Sequence, residues 1–129
     1  MIELTDQAID PQTIISRLSF QDAGSVVLHF GVVKPVAQGE STQGLRFTPD
    51  GDLAGELREL EAELRARWEV TDVLLVRRMG QLKIGEIILA AAVAAPGREA
   101  AFGACRDAVE GFKKMKHLRK QELTENSIR

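Results

Sequence analysis

A chain of 129 residues, 44% hydrophobic and 28% charged, fits one domain and can build a core without disulfides or a structural metal. Its net charge of −2 gives no general attraction for nucleic acid, and a single cysteine, Cys105, excludes an internal disulfide and suits a reducing compartment. The longest apolar run, Ile87 to Ala95, is too short to span a bilayer, and Met1-Ile2-Glu3-Leu4 lacks the basic-then-apolar pattern of a signal peptide, so one cytoplasmic domain over residues 1–129 is expected.

In chain order, Asp10-Pro11 marks a helix start, with aspartate as N-cap and proline at the first helical position. Ile14, Ile15 and Leu18 give that helix a short apolar face. Gly24 opens a valine- and phenylalanine-rich run, Ser25 to Val33, which predicts a strand. Residues 35–44 have loop composition, and Leu45 to Phe47 is a short strand candidate. Leu53, Leu57, Leu60, Leu64 and Trp68 recur at helical spacing after the turn Pro49-Asp50-Gly51-Asp52, which makes this the clearest helix. Val70 to Met79 and Glu86 to Ala95 predict two further strands, joined by a turn-like Gly80–Gly85. Pro96-Gly97 then breaks the chain before a second long helix from Arg98, with Ala101, Cys105, Ala108, Phe112 and Met115 on one face. The order α-β-β-α-β-β-α, with strands in hairpin-like pairs, predicts an α+β fold of antiparallel strands and two long helices.

General catalytic motifs are missing from the sequence. Two histidines and one cysteine do not make up a structural zinc set, and no phosphate-loop, dinucleotide or Gly-x-Ser-x-Gly pattern occurs. Cys105, mid-helix on the apolar face, reads as core. Charge is the more informative signal. Residues 113–120 contain Lys113, Lys114, Lys116, Arg119 and Lys120 and no acid, a local +5 that leaves −7 for the rest of the chain. So compact a basic patch suits a small anionic ligand better than a long polyanion. If the helix continues, Lys113 and Lys120 lie two turns apart on one face, with Lys116 nearby, and clustered ammoniums lower one another's pKa. From spacing alone, a solvated basic helix end favoured by the helix dipole is the simpler reading. Arg98 at a helix start can clamp a phosphate or carboxylate, or be a surface arginine. Lys34, where a strand enters a loop, reads on pattern as an edge-strand lysine.

Five segments in register resemble the large, catalytic subunit family of molybdopterin synthase. They are Gly24-Ser-Val-Val-Leu-His-Phe-Gly-Val-Val-Lys34; Leu45-Arg-Phe-Thr-Pro49; Val76-Arg-Arg-Met-Gly-Gln-Leu-Lys-Ile-Gly-Glu86; Gly97-Arg-Glu-Ala-Ala-Phe102; and Phe112-Lys113 followed by Lys120-x-Glu122. The resemblance implies an α/β-hammerhead-like fold and a homodimer. It further implies a heterotetramer with a small ubiquitin-like sulfur carrier whose Gly-Gly tail enters the active site. The implied reaction moves sulfur from the thiocarboxylated tail to cyclic pyranopterin monophosphate, with no metal or cofactor. On this resemblance Lys113 and Lys120 match the catalytic lysines and Arg98 the substrate-anion arginine, with Lys34, Lys116 and Arg119 as further substrate-binding cations. The sequence departs from the family pattern at Lys34 (for arginine), Arg77 (for histidine), Gly97 (for histidine), His117 (for proline) and Arg119 (for tryptophan). A second class of reading therefore stands beside the enzyme: a paralogue that binds anions, pterins or protein partners without turnover.

Overall fold

The computed structural model describes residues 1–37, 40, 41 and 43–124 of the chain. Its elements are β1 (Ile2–Thr5), α1 (Pro11–Arg17), β2 (Ser25–Val32), β3 (Val36–Ala37), β4 (Glu40–Ser41), β5 (Gly44–Pro49), α2 (Leu53–Arg67), β6 (Asp72–Arg78), β7 (Gly80–Lys83), β8 (Ile87–Ala95), α3 (Arg98–Lys113) and β9 (Leu118–Leu123). The α+β expectation holds, with α2 and α3 as the two long helices.

The main sheet has strand order β1-β6-β8-β2; β1 runs parallel to β6 and the other pairs are antiparallel. Strand β8 is unusually rich in alanine because both of its faces are covered. Ala91 and Val93 join α2 and α3 in one apolar cluster, while Ala90, Ala92 and Ala94 join Ile14 and Leu18 from α1 and its C-cap in another. Small side chains let helices approach both sides of one strand. The same closeness recurs between the helices and their neighbours: a Cβ on Gly103 would stand 2.2 Å from the Trp68 ring. The leucines of α2 point inward as their spacing predicts, and Leu53, Leu57, Leu60 and Leu64 are all buried.

A second sheet, β7-β5-β9, packs Leu45, Phe47 and Leu82 against Leu53 and Met79 in a third cluster. Here the sequence expectations need correcting. Residues 80–83 form strand β7 and are not turn alone, because Leu82 is buried opposite Leu45 while Gly80 and Gly85 take the positive φ angles that bend the chain on either side. The helix does not run on through Lys120. It ends at Lys113, and residues 118–123 pair as strand β9 with β5. Carrying the helix onward would stack Lys113, Lys116 and Lys120 at like-charge spacing. The strand instead buries Leu123 and packs Leu118 beside Phe47. The N-terminal strand β1 has no counterpart in the expected element order. Part of the expected 35–44 loop is the short β3-β4 pair; residues 38, 39 and 42 lie outside the described residues. No described helix is long and apolar enough to cross a membrane.

Candidate active site

Topology decides which of the predicted cations can meet. Helix α3 starts just after the C-terminal end of β8 and packs back along it, so its last residue, Lys113, lies toward the end where β8 begins. Strand β2 is antiparallel to β8, with Val32 registered on Ile87, and so it delivers Lys34 to that same end. Lys34 follows Val33, which is locked by its N–H to the Glu86 carbonyl (3.1 Å) and by its own carbonyl to the Gly85 N–H (3.0 Å). After α3 a short turn reverses the chain into β9, which sets Lys120 directly across from Phe47 on β5. Lys34, Lys113 and Lys120 thus share one end of the molecule, and all three side chains are exposed.

The turn between the two lysines is pinned from α2. The Glu56 carboxylate accepts the Lys116 N–H at 2.9 Å and the His117 N–H at 2.6 Å, and lies 2.8 Å from His117 Nδ1. The His117 carbonyl in turn accepts the Asp50 N–H at 2.9 Å. Burial works to raise the Glu56 pKa, but the N–H groups of Lys116 and His117, followed by the imidazole, leave it below the ordinary carboxylate value. Lys113 is held only loosely: its Nζ lies 3.8 Å from Glu110 Oε1, and both side chains are largely in water.

Beneath this surface lies a cation that the sequence reading did not select. Arg77 alternates with Val73 and Leu75 on the helix-facing side of β6, and that spacing was the signal for its burial. Only 5% of it is exposed. Its guanidinium stacks over the Phe47 ring, 4.2 Å from the centroid, and Nη1 donates to the Ile88 carbonyl at 3.0 Å. Its Nε has no partner, and burial pushes its pKa down to about 10. Directly opposite residues of an antiparallel pair share a face, so Lys120 stands on the same side of the second sheet as the ring that Arg77 covers. Arg78 projects to the other face of the main sheet, 3.4 Å from Glu86, whose carboxylate also accepts the Lys83 N–H at 2.7 Å. Glu86 thereby shapes the turn into β8.

The remaining candidates lie apart. Arg119 is on the opposite face of β9 from Lys120 and pairs with Asp50 at 3.0 Å, an exposed contact of little energetic weight. Lys116 contributes its backbone N–H to the turn, and its side chain is exposed. Arg98 is the first residue of the sixteen-residue α3 and Lys113 the last, which separates their backbones by roughly 22 Å. Within a single chain Arg98, Lys113 and Lys120 do not converge. A groove of about 290 Å³ between β2 and α3 is lined by Val27, Leu28, His29, Phe102, Cys105, Arg106 and Val109, and includes none of the predicted site cations. Cys105 is core as predicted, with burial pushing its thiol up to about 11. Among the described residues, no three His, Cys, Asp or Glu side chains are grouped to hold a metal.

A family model described as MoaE protein matches residues 4–115. The molybdopterin synthase catalytic subunit of Bacillus subtilis (strain 168) is 30% identical over 125 residues, covering 96% of this chain and 80% of that protein. Its namesake from Thermoplasma volcanium is 25% identical over 126 residues, covering 97% and 92%. Among solved structures, molybdopterin synthase from Staphylococcus aureus superposes with a TM-score of 0.88 at 26% identity, covering 96% of this chain and 91% of that one. The complex of subunits 1 and 2 of molybdopterin-converting factor from Helicobacter pylori contains a chain of the same fold, with a TM-score of 0.78 at 17% identity.

Proposed function

Because the chain belongs to the MoaE protein family, we propose that it is the catalytic subunit of a molybdopterin synthase. In this reading it moves sulfur from the thiocarboxylated C-terminus of a small ubiquitin-like carrier to cyclic pyranopterin monophosphate. The observation that carries the reading is the placement of Lys34, Lys113 and Lys120 toward one end of the molecule, with Lys120 registered on Phe47, whose ring the buried Arg77 covers. The substrate is a phosphate and the sulfur donor is an anion. Both need cations to gather them, and charge that develops during transfer needs ammonium groups already in place. Lys113 and Lys120 are the catalytic pair, and Lys34 holds the substrate anion, with Lys116 and Arg119 as outlying cations. Residues 1–129 form a single molybdopterin synthase large-subunit-like domain that works in the cytoplasm.

Arg98 belongs to the site of a second copy. At about 100° per residue, Arg98, Phe102, Arg106, Val109 and Lys113 fall within roughly 80° of the α3 circumference. Phe102 is 57% exposed at the middle of this stripe. Pairing two such stripes antiparallel about a two-fold axis sets Phe102 against the partner's Val109 and brings the partner's Arg98 to Lys113. A homodimer built this way has two complete sites, and a carrier at each gives a heterotetramer.

The test is reconstitution of this chain with a cognate thiocarboxylated carrier and the pterin substrate. The reading expects a dithiolene product, loss of turnover in Lys113→Ala, and near-normal turnover in Lys114→Ala. A folded protein that binds the pterin phosphate but forms no product supports instead a non-catalytic anion-binding paralogue. The substitutions at Lys34, Gly97 and Arg119 favour that alternative.

A further inference from the structure

We infer that Glu56 and His117 are positioning residues that fix Lys113 and Lys120 relative to one another by clasping the turn between α3 and β9. This deepens the proposed activity and rests on it. Neither side chain needs to touch the substrate.

The geometry is specific. Two consecutive backbone N–H groups, those of Lys116 and His117, point at one carboxylate from another helix, and the His117 ring closes on that same carboxylate. These contacts link residues sixty and sixty-one positions apart in sequence. Glu56 lies in the first turn of α2, which is itself fixed by its Asp52 cap on the Gly55 N–H at 2.9 Å and by the burial of Leu53 and Leu57. The carboxylate is therefore a rigid post. The back of the His117 ring is closed off as well: a Cβ on Gly51 would stand 2.2 Å from His117 Cδ2. The Asp50 N–H bond to the His117 carbonyl completes the hold.

The clasp grips the connection between the two lysines and neither lysine itself. Lys113 lies three residues before Lys116, and Lys120, in β9, three residues after His117. Lys113 has only a loose surface contact to Glu110, so its reach is set by its backbone at the end of α3, where the clasped turn begins. Without Glu56, two backbone N–H groups of the turn lose their acceptor and the turn is free to take up other conformations. A displacement of about 1 Å between two groups that act together can cost on the order of 100-fold in rate. Substrate capture by the exposed cations would change far less.

The experiment uses the reconstituted complex and measures kcat and KM for the pterin substrate in Glu56→Ala, Glu56→Gln, His117→Asn and His117→Leu. Hydrogen exchange at the Lys116 and His117 amides is followed in the isolated chain. The inference expects Glu56→Ala to lower kcat by about 10- to 100-fold with KM within about threefold. Glu56→Gln, which keeps one acceptor oxygen, should be intermediate. His117→Asn, which keeps a side-chain donor near the Nδ1 position, should recover most of the activity that His117→Leu loses. Both amides should exchange faster in Glu56→Ala while the amides of β8 stay protected. Normal kcat in folded Glu56→Ala, or a fall confined to KM, overturns the inference. A wild-type complex that fails to turn over overturns the proposed activity and this role together, and the amide exchange still reports separately whether the clasp holds the turn.

Discussion

The Arg77 guanidinium lies over the Phe47 ring, 4.2 Å from its centroid, and joins the main sheet to the second sheet at their shared apolar seam. Among the described residues no carboxylate accompanies this buried cation. Its fixed contacts are the ring and one carbonyl, and its Nε is unpaired. Desolvation of a charge is expensive, and a single cation–π contact returns only part of it. Substitution Arg77→Met, which fills similar space without charge, should leave stability unchanged or raise it by about 1–4 kcal/mol in chemical denaturation. A loss of stability in Arg77→Met would show that the guanidinium is a net structural asset.

Glu56 makes stability depend on acid. Its pKa is lowered in the folded chain, so its contribution is fully present above the unfolded carboxylate value and disappears as pH falls through the lower folded value. Glu61, and Glu86 through its Lys83 N–H bond, are shifted the same way and add to the slope. Denaturation midpoints of wild type and Glu56→Gln should differ at neutral pH and converge only in acid below the ordinary carboxylate value. A constant difference down to acid pH would rule out the carboxylate as the source.

The contact between α3 and Trp68 leaves no room for a methyl group at position 103, where a Cβ would come within 2.2 Å of the ring. Trp68 is also fixed by its Nε1–H to Asp107 at 2.8 Å, so it does not yield easily. Gly103→Ala should cost about 1–3 kcal/mol despite the better helix propensity of alanine, as read from thermal or urea unfolding. Leu57→Ala, at a fully buried position of α2, should cost about 2–5 kcal/mol.

Much of this fold could be read from periodicity where the pattern was local and strong. The leucine spacing of α2 and the apolar runs of β2, β6 and β8 translate directly into buried faces. Strands β1 and β9 were hidden for a different reason. Each is short, and each is completed by a distant partner: β1 by Leu75–Arg78 and β9 by Gly44–Pro49. In β9 the residues Leu-Arg-Lys-Gln-Glu-Leu favour helix intrinsically, and pairing with β5, the burial of Leu123 and the Glu56 clasp override that preference. The candidate site draws on both levels. Lys113 and Lys120 could be selected by resemblance, whereas the roles of Glu56 and Arg77 depend on tertiary contacts. Arg98 stands out as a helix-start cation, and the same helix, expected to run from Arg98 past Phe112, already places Lys113 at its far end.

Phe102 offers a check on the assembly. If the exposed stripe of α3 is buried between two copies, Phe102→Glu should shift the protein toward monomer in sedimentation and reduce turnover, although residue 102 touches none of the site lysines. A Phe102→Glu chain that remains dimeric and active would place the contact elsewhere.

The most direct measurement is complementation between two inactive chains. Arg98→Ala and Lys113→Ala are prepared separately, shown to lack turnover with the carrier and the pterin substrate, then unfolded, mixed in equal amounts and refolded. A site shared between two copies predicts recovery of about a quarter of wild-type activity, because half of the dimers are mixed and each mixed dimer regains one intact site of two. No recovery, with mixed dimers demonstrably formed, would contradict an active site in which Lys113 of one chain works beside Arg98 of the other.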